Sequence, residues 1–156
     1  MSIPVTLLHY LDRCGVKYDV LKHRPTQNSM KTAEVAGVSG ENIAKSVILE
    51  DDSGYLMAVV PATHHVELGL LSRQLNRHLG LATEKELSQL FNDCDPGAVP
   101  PIGQAYGVDV ILEDCLSDCS DIYFEAGDHA ELIHMRGEDF QRLMQGSNHG
   151  QFSHHI

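Results

Sequence analysis

Lys45-Ser46-Val47-Ile48-Leu49-Glu50 and Tyr55-Leu56-Met57-Ala58-Val59-Val60 flank Asp51-Asp52-Ser53-Gly54, and this stretch limits the fold more than any other. Aliphatic runs bounded by a cluster of turn formers predict two strands joined as a hairpin. Leu56 to Val60 is apolar on both faces, so the pair belongs in the interior of a sheet rather than at its edge. The remaining chain must therefore supply flanking strands and cover both faces of this hairpin.

The pattern on either side supplies such elements. Leu7, Leu8, Leu11 and Cys14 recur at helical spacing before Gly15, and Val16, Tyr18 and Val20 alternate as a half-buried strand running toward His23. Thr32 to Ala36 predicts a short helix. Leu68, Leu71, Leu75 and Leu79 form a helical stripe that Gly80 is expected to end. Thr83-Glu84-Lys85-Glu86 is a capping-box pattern that opens a further helix with Leu87, Leu90 and Phe91 facing inward. Later strands are expected at Val108 to Leu112, Ile122 to Phe124 and Leu132 to Met135, the last two joined through Gly127-Asp128, and Asp139 to Met144 reads as a closing helix. Strands that meet through tight turns among interspersed helices predict an α+β fold, with a mixed, mostly antiparallel sheet flanked by helices.

A chain of 156 residues with 42% hydrophobic content suits one domain with one sizeable core. No apolar run approaches the ~20 residues of a membrane span, and the N-terminal stretch lacks a basic leader followed by an apolar region, so the expected setting is the cytoplasm. Cys14, Cys94, Cys115 and Cys119 show no C-x-x-C spacing and are expected as free thiols. The net charge of −11 argues against a protein that coats nucleic acid. The charge is uneven, however. Residues 1–77 hold eight basic and eight acidic side chains, whereas residues 78–156 hold three and fourteen. Any contact with a polyanion should be local and should use the N-terminal half.

Three features carry candidate chemistry. Lys45 shares a strand face with Val47 and Leu49, which places it at the mouth of a pocket if it is not simply a solvated strand-end lysine. Gly97-Ala98-Val99-Pro100-Pro101-Ile102-Gly103 combines two glycines with two prolines that have no N–H to offer. Its amides at Gly97, Ala98 and Val99 are either part of a stiff connection or fixed donors to a carbonyl oxygen or oxyanion. Ala126-Gly127-Asp128-His129 is a hairpin turn in which His129 either begins a surface strand or joins a site. His64-His65 lacks a third ligand, and its place at the approach to the next helix accounts for it without a metal. G-x-S-x-G, G-x-x-x-x-G-K and G-x-G-x-x-G patterns are absent from the sequence.

The order of these segments is informative: His23, T-A-E-V-A (Thr32 to Ala36), A-K-S-V-I-L (Ala44 to Leu49), Y-L-M-A-V-V-P-A (Tyr55 to Ala62), L-A-T-E-K-E-L (Leu81 to Leu87), D-C-D-P-G-A-V-P-P-I-G (Asp93 to Gly103), A-G-D-H (Ala126 to His129) and M-R-x-x-D-F (Met135 to Phe140). The series resembles the YbaK/prolyl-tRNA synthetase-associated domain family, relatives of that synthetase's editing insertion. The resemblance covers residues 1–146 and leaves 147–156 as a His-rich tail expected to be disordered. It implies a trans-editing deacylase that hydrolyses the ester of a mischarged tRNA carrying a small amino acid such as Ala, Ser, Thr or Cys. Its loop departs from that of members clearing cysteinyl-tRNA, which puts cysteine behind the other three. The resemblance implies catalytic roles for Lys45 and for the amides of Gly97, Ala98 and Val99, in a G-x-x-x-P loop ending at Pro101. It implies substrate contacts from His23, Thr32, Ser46, Pro100, Pro101, Gly103, Gly127 and His129, with no metal and no cofactor. The implied partners are the tRNA acceptor end and a synthetase, with neither membrane nor DNA. The alternative is a binding module of the same fold that takes up an amino-acid-like ligand or a synthetase without chemistry.

Overall fold

A computed structural model of the chain describes residues 3–26 and 28–156. The central hairpin pairs β2 (Ala44–Asp51) with β3 (Gly54–Pro61) in register from Ala44↔Pro61 to Asp51↔Gly54. Before it come α1 (Val5–Cys14), β1 (Asp19–Lys22) and α2 (Ser29–Ala36). After it follow β4 (His64–Val66), α3 (Leu68–Leu75), β5 (Gly80–Leu81), α4 (Glu84–Leu90), β6 (Asp109–Glu113), β7 (Asp121–Glu125), β8 (Glu131–Arg136), α5 (Gly137–Leu143), β9 (Asn148–Gly150) and β10 (Ser153–His155). The main sheet runs β5-β2-β3-β6-β9, antiparallel across β5, β2 and β3 and parallel across β3, β6 and β9. The hairpin is thus interior, as its two apolar faces require, and the architecture is mixed α+β.

The two faces of β3 feed different cores. Met57 and Val59 join Ala44 and Ile48 in the larger cluster with α1, Phe91, Phe124 and Phe140. Leu56, Ala58 and Val60 pack with Leu49, Leu71, Ile111 and Phe152 on the opposite side. A three-stranded antiparallel sheet, β1-β8-β7, stands beside the main one and is tied to it by a parallel bridge between Ile43 and Tyr123. The next residues of both strands, through Lys45 on one side and Glu125 on the other, diverge around a cleft.

Four local expectations change. Helix α3 stops at Leu75 because Asn76 adopts the left-handed conformation (φ 53°) and caps it, so Gly80 is free to pair with Glu50 in β5. His64 and His65 lie on a strand, facing His155 and His154 of β10. Strand β8 begins at Glu131, leaving His129 in the turn at φ 59°. The tail is ordered. Its residues pair as β9 with β6 and as β10 with β4, and Phe152 between them is fully buried in the second core with its N–H donating to Glu113 (2.9 Å). A single aromatic among polar residues carries no periodicity, but its burial supplies ~1.5–3 kcal/mol toward ordering the segment. Among the described residues no helix is long and apolar enough to cross a membrane.

Candidate active site

The cleft at the junction of the two sheets has a volume of about 450 Å³ and is bounded by the start of α2, the start of β2, the 95–99 loop and the end of β7. Lys45, the second residue of β2, is half-buried in its wall and donates to Ala62 O at 3.4 Å. Burial lowers its pKa, and no neighbouring carboxylate offsets that shift. Among the described residues its ammonium makes no ion pair, which leaves it available to a ligand.

The loop opposite is built around Asp95, which caps a short 3-10 turn at Pro96–Ala98. Asp95 Oδ1 accepts from Gly97 N–H at 3.4 Å, Asp95 O accepts from Ala98 N–H at 2.9 Å, and Asp95 N–H donates to Gly127 O at 2.8 Å. The same carboxylate lies 3.3 Å from His129 Nε2. The 95–99 loop and the 126–129 turn therefore brace each other. Gly97 is required by space, since a Cβ there would stand 2.9 Å from the His129 ring. Gly127 is required by conformation (φ 94°) and by Pro4, which a Cβ would meet at 2.8 Å.

Of the three amides expected to act together, Ala98 N–H is consumed within the turn and its side chain is buried away from the cleft. Val99 lines the cleft, and among the described residues its N–H makes no hydrogen bond. Val99 C=O accepts from Ser46 Oγ at 2.8 Å, which locks the loop onto the strand that carries Lys45. Pro100 and Pro101 are buried just behind it and hold the segment from the core side.

Lys45, Ser46, Gly97 and Val99 thus line the cleft directly. Thr32 and His23 stand behind it against Glu125, and His129 against Gly97, whereas Gly127 is a further contact back, behind Asp95. Gly103 lies elsewhere, where a Cβ would meet Val108 O and Val110 at 2.7 Å, so its smallness serves packing. Sequence reasoning missed Glu125, His65, Ile156 and the Asn28 to Met30 start of α2 in the cleft lining, and Asp95, which braces the loop from behind. Glu125 directly follows the Ile122 to Phe124 strand pattern, and a carboxylate ending an apolar strand was the available signal. Its Oε1 accepts from Thr32 Oγ1 at 2.7 Å and lies 3.7 Å from His23 Nε2. Burial raises its pKa, opposed by the Thr32 hydrogen bond and the two nearby histidines. All four cysteines are free, and burial pushes the Cys94 thiol up to about 12, which leaves it unreactive. Among the described residues no group of three His, Cys, Asp or Glu side chains is placed to hold a metal ion.

The model of the aminoacyl-tRNA editing domain family matches residues 23–143, from the histidine behind Glu125 to the last helix. The chain belongs to the aminoacyl-tRNA editing domain family. A search of curated proteins finds no match. Among solved structures, this editing domain is similar to a protein described as a candidate trans-editing enzyme for prolyl tRNA synthetase, with 20% identity, TM-score 0.83, and 98% and 99% of the two chains covered. It is also similar to the hypothetical protein APE2540 (20% identity, TM-score 0.84, 96% and 99% covered). A protein of Marinobacter aquaeolei VT8 described as a candidate signal transduction protein contains a similar fold (18% identity, TM-score 0.79), with 97% of this chain and 31% of that one covered.

Proposed function

We propose that this editing domain is a trans-acting aminoacyl-tRNA deacylase that hydrolyses the ester between a small amino acid and the 3′-terminal ribose of a mischarged tRNA. The observation that carries the reading is one cleft in which an unpaired, half-buried lysine and an uncommitted backbone amide at Val99 share a wall-to-wall space. The Val99 N–H polarises the ester carbonyl and stabilises the oxyanion that forms on it, while the Gly97 N–H stays engaged by Asp95 Oδ1. Lys45 adds a compact positive charge for the developing oxyanion or the terminal nucleotide. A water molecule attacks the carbonyl carbon, the bond to the ribose oxygen breaks, and that oxygen leaves with a proton as a hydroxyl. The products are the free amino acid and the uncharged tRNA.

Preorganisation supports this chemistry. Ser46, Asp95, His129 and the two prolines fix the loop before substrate arrives, so no ordering is required at the moment of reaction. Lys22, Arg24 and Lys31 lie near the cleft in sequence and provide a weak, local contact for the acceptor end, in keeping with a net charge of −11. The proposed setting is the cytoplasm, in contact with tRNA and a synthetase, and the reaction needs no metal or other cofactor. Deacylation of tRNAs mischarged with alanine, serine, threonine or cysteine, with and without EDTA, tests the reading. Turnover of at least one, unaffected by EDTA, is expected. No turnover by folded protein would overturn the enzyme in favour of a binding module, and zinc-restored activity would overturn the metal-free mechanism.

A further inference from the structure

Among the described residues Glu125 is the one cleft-lining acid, and the proposed hydrolysis leaves it without a task. Its residue is 6% exposed, yet it lines the same cleft as Lys45, Gly97 and Val99. Oε1 is engaged by Thr32, whereas Oε2 is buried and has no hydrogen-bond partner among the described residues. A buried carboxylate oxygen left unsatisfied carries the full cost of its desolvation, and a ligand that donates to it recovers that cost. The groups around it hold it in place without completing it. The His23 side chain is almost fully buried at 3.7 Å from the opposite oxygen, and Thr32 is itself fixed by its backbone N–H, which donates to Asn28 O at 3.0 Å. Lys45 is not paired with it, so the cleft presents a cation and a carboxylate separately.

We propose that Glu125 receives the α-ammonium group of the aminoacyl moiety, so that the cleft selects esters of amino acids with a free amine and rejects N-acylated ones. The proposal rests on the deacylase reading for its substrate. An aminoacyl ester places its ammonium one carbon from the carbonyl, which matches a carboxylate and an oxyanion-binding wall facing a common space. The ammonium brings both donors for Oε2 and a positive counter-charge for the buried carboxylate. A ribose or side-chain hydroxyl would supply the hydrogen bond and leave the charge uncompensated. Blocking the amine with an acyl group removes the charge and adds bulk against a buried wall. The consequence for function is protection of formylated and peptidyl-tRNA from hydrolysis, by the same residue that admits the mischarged substrate.

Binding of three hydrolysis-resistant adenosines to the full chain, followed by NMR titration, tests this. One carries alanine through a 3′-amide, the second is its N-acetyl derivative, and the third has a hydroxyl in place of the amine. Wild-type protein is expected to prefer the free-amine compound by at least ~10-fold over either neutral one, and Glu125→Gln to reduce that preference to about threefold or less. Equal wild-type binding of all three, or a full preference retained in Glu125→Gln, would overturn the proposal. If Glu125→Gln does not fold, the wild-type series still decides whether the amine is read, and Thr32→Val, which unfastens Oε1, is expected to weaken the free-amine compound selectively. Binding is read without turnover, so the two claims separate. Amine preference with no deacylation would keep the ammonium site and overturn the enzyme, while deacylation with no amine preference would overturn the ammonium site alone.

Discussion

Alanine at position 97 would set a methyl carbon 2.9 Å from both Cε1 and Nε2 of His129. Ordinary contacts of a Cβ begin near 3.4 Å, so the loop and the ring must separate by about half an ångström. The ring is the softer side, being the far end of a side chain that is 15% exposed, but its backbone is held in a left-handed turn and its Nε2 faces Asp95. Overpacking costs ~1–3 kcal/mol in general, and the partly exposed ring puts Gly97→Ala near ~1 kcal/mol, or a Tm loss of about 2–4 °C. The rate should suffer more than the stability. A misplacement of about 1 Å costs ~100-fold, so half of that displacement at the loop that carries Val99 predicts about a tenfold loss in kcat/KM. Deacylation kinetics and thermal melts of Gly97→Ala, His129→Ala and the double variant form a cycle in which removing the ring relieves the clash. Wild-type activity in Gly97→Ala, or strictly additive effects in the cycle, would refute the bracing of the loop by the turn.

Ser46→Ala removes the 2.8 Å bond to Val99 O and should cost ~1 kcal/mol in denaturant unfolding together with a several-fold lower kcat, whereas an unchanged rate would show that the bond does not position the loop. Phe152→Ala should destabilise the fold by ~3–5 kcal/mol, because the tail is anchored in the second core, and a loss under 1 kcal/mol would return the segment to a dispensable tail. The Arg77 guanidinium, bonded to Asp51 at 2.7 Å, holds that carboxyl at about 2 against an ordinary 3.8. Since the folded value lies below the unfolded one, the pair's contribution is complete above about pH 4 and is lost as the pH falls toward about 2. The stability gap between wild type and Asp51→Asn should therefore shrink on acidification through that window, and a gap that widens would contradict the assignment.

The hairpin, α1, α2 and α4 were legible because each is written locally, in a two-faced apolar run, in helical spacing or in the Thr83-Glu86 capping box that the structure reproduces. Helix α3 was read too long because Leu79 continues the apolar stripe while packing from a loop, and Asn76 takes the left-handed cap that glycine usually fills. The tail was missed because its order comes from one phenylalanine and from pairing with strands far away in sequence. In the site, Lys45 and the Gly97-to-Pro101 loop stood out by residue type. Which amide remains available was invisible, since it depends on Asp95 capping the turn and consuming Ala98. Glu125 escaped for a similar reason. Its importance lies in an oxygen with no partner, and that is a property of the folded surroundings rather than of the strand that carries it.

The central claim is that Lys45 supplies charge to a reaction in this cleft, and Lys45→Ala tests it most directly. Single-turnover deacylation of the best mischarged tRNA should fall at least ~100-fold in folded protein, the scale for one preorganised electrostatic partner. The Tm should change little, because the side chain lines a cleft rather than filling a core. Lys45→Arg should not restore the rate, since a planar guanidinium does not occupy the same point. Undiminished deacylation by folded Lys45→Ala, with a Tm lowered by many degrees, would make Lys45 a structural residue and place the chemistry elsewhere.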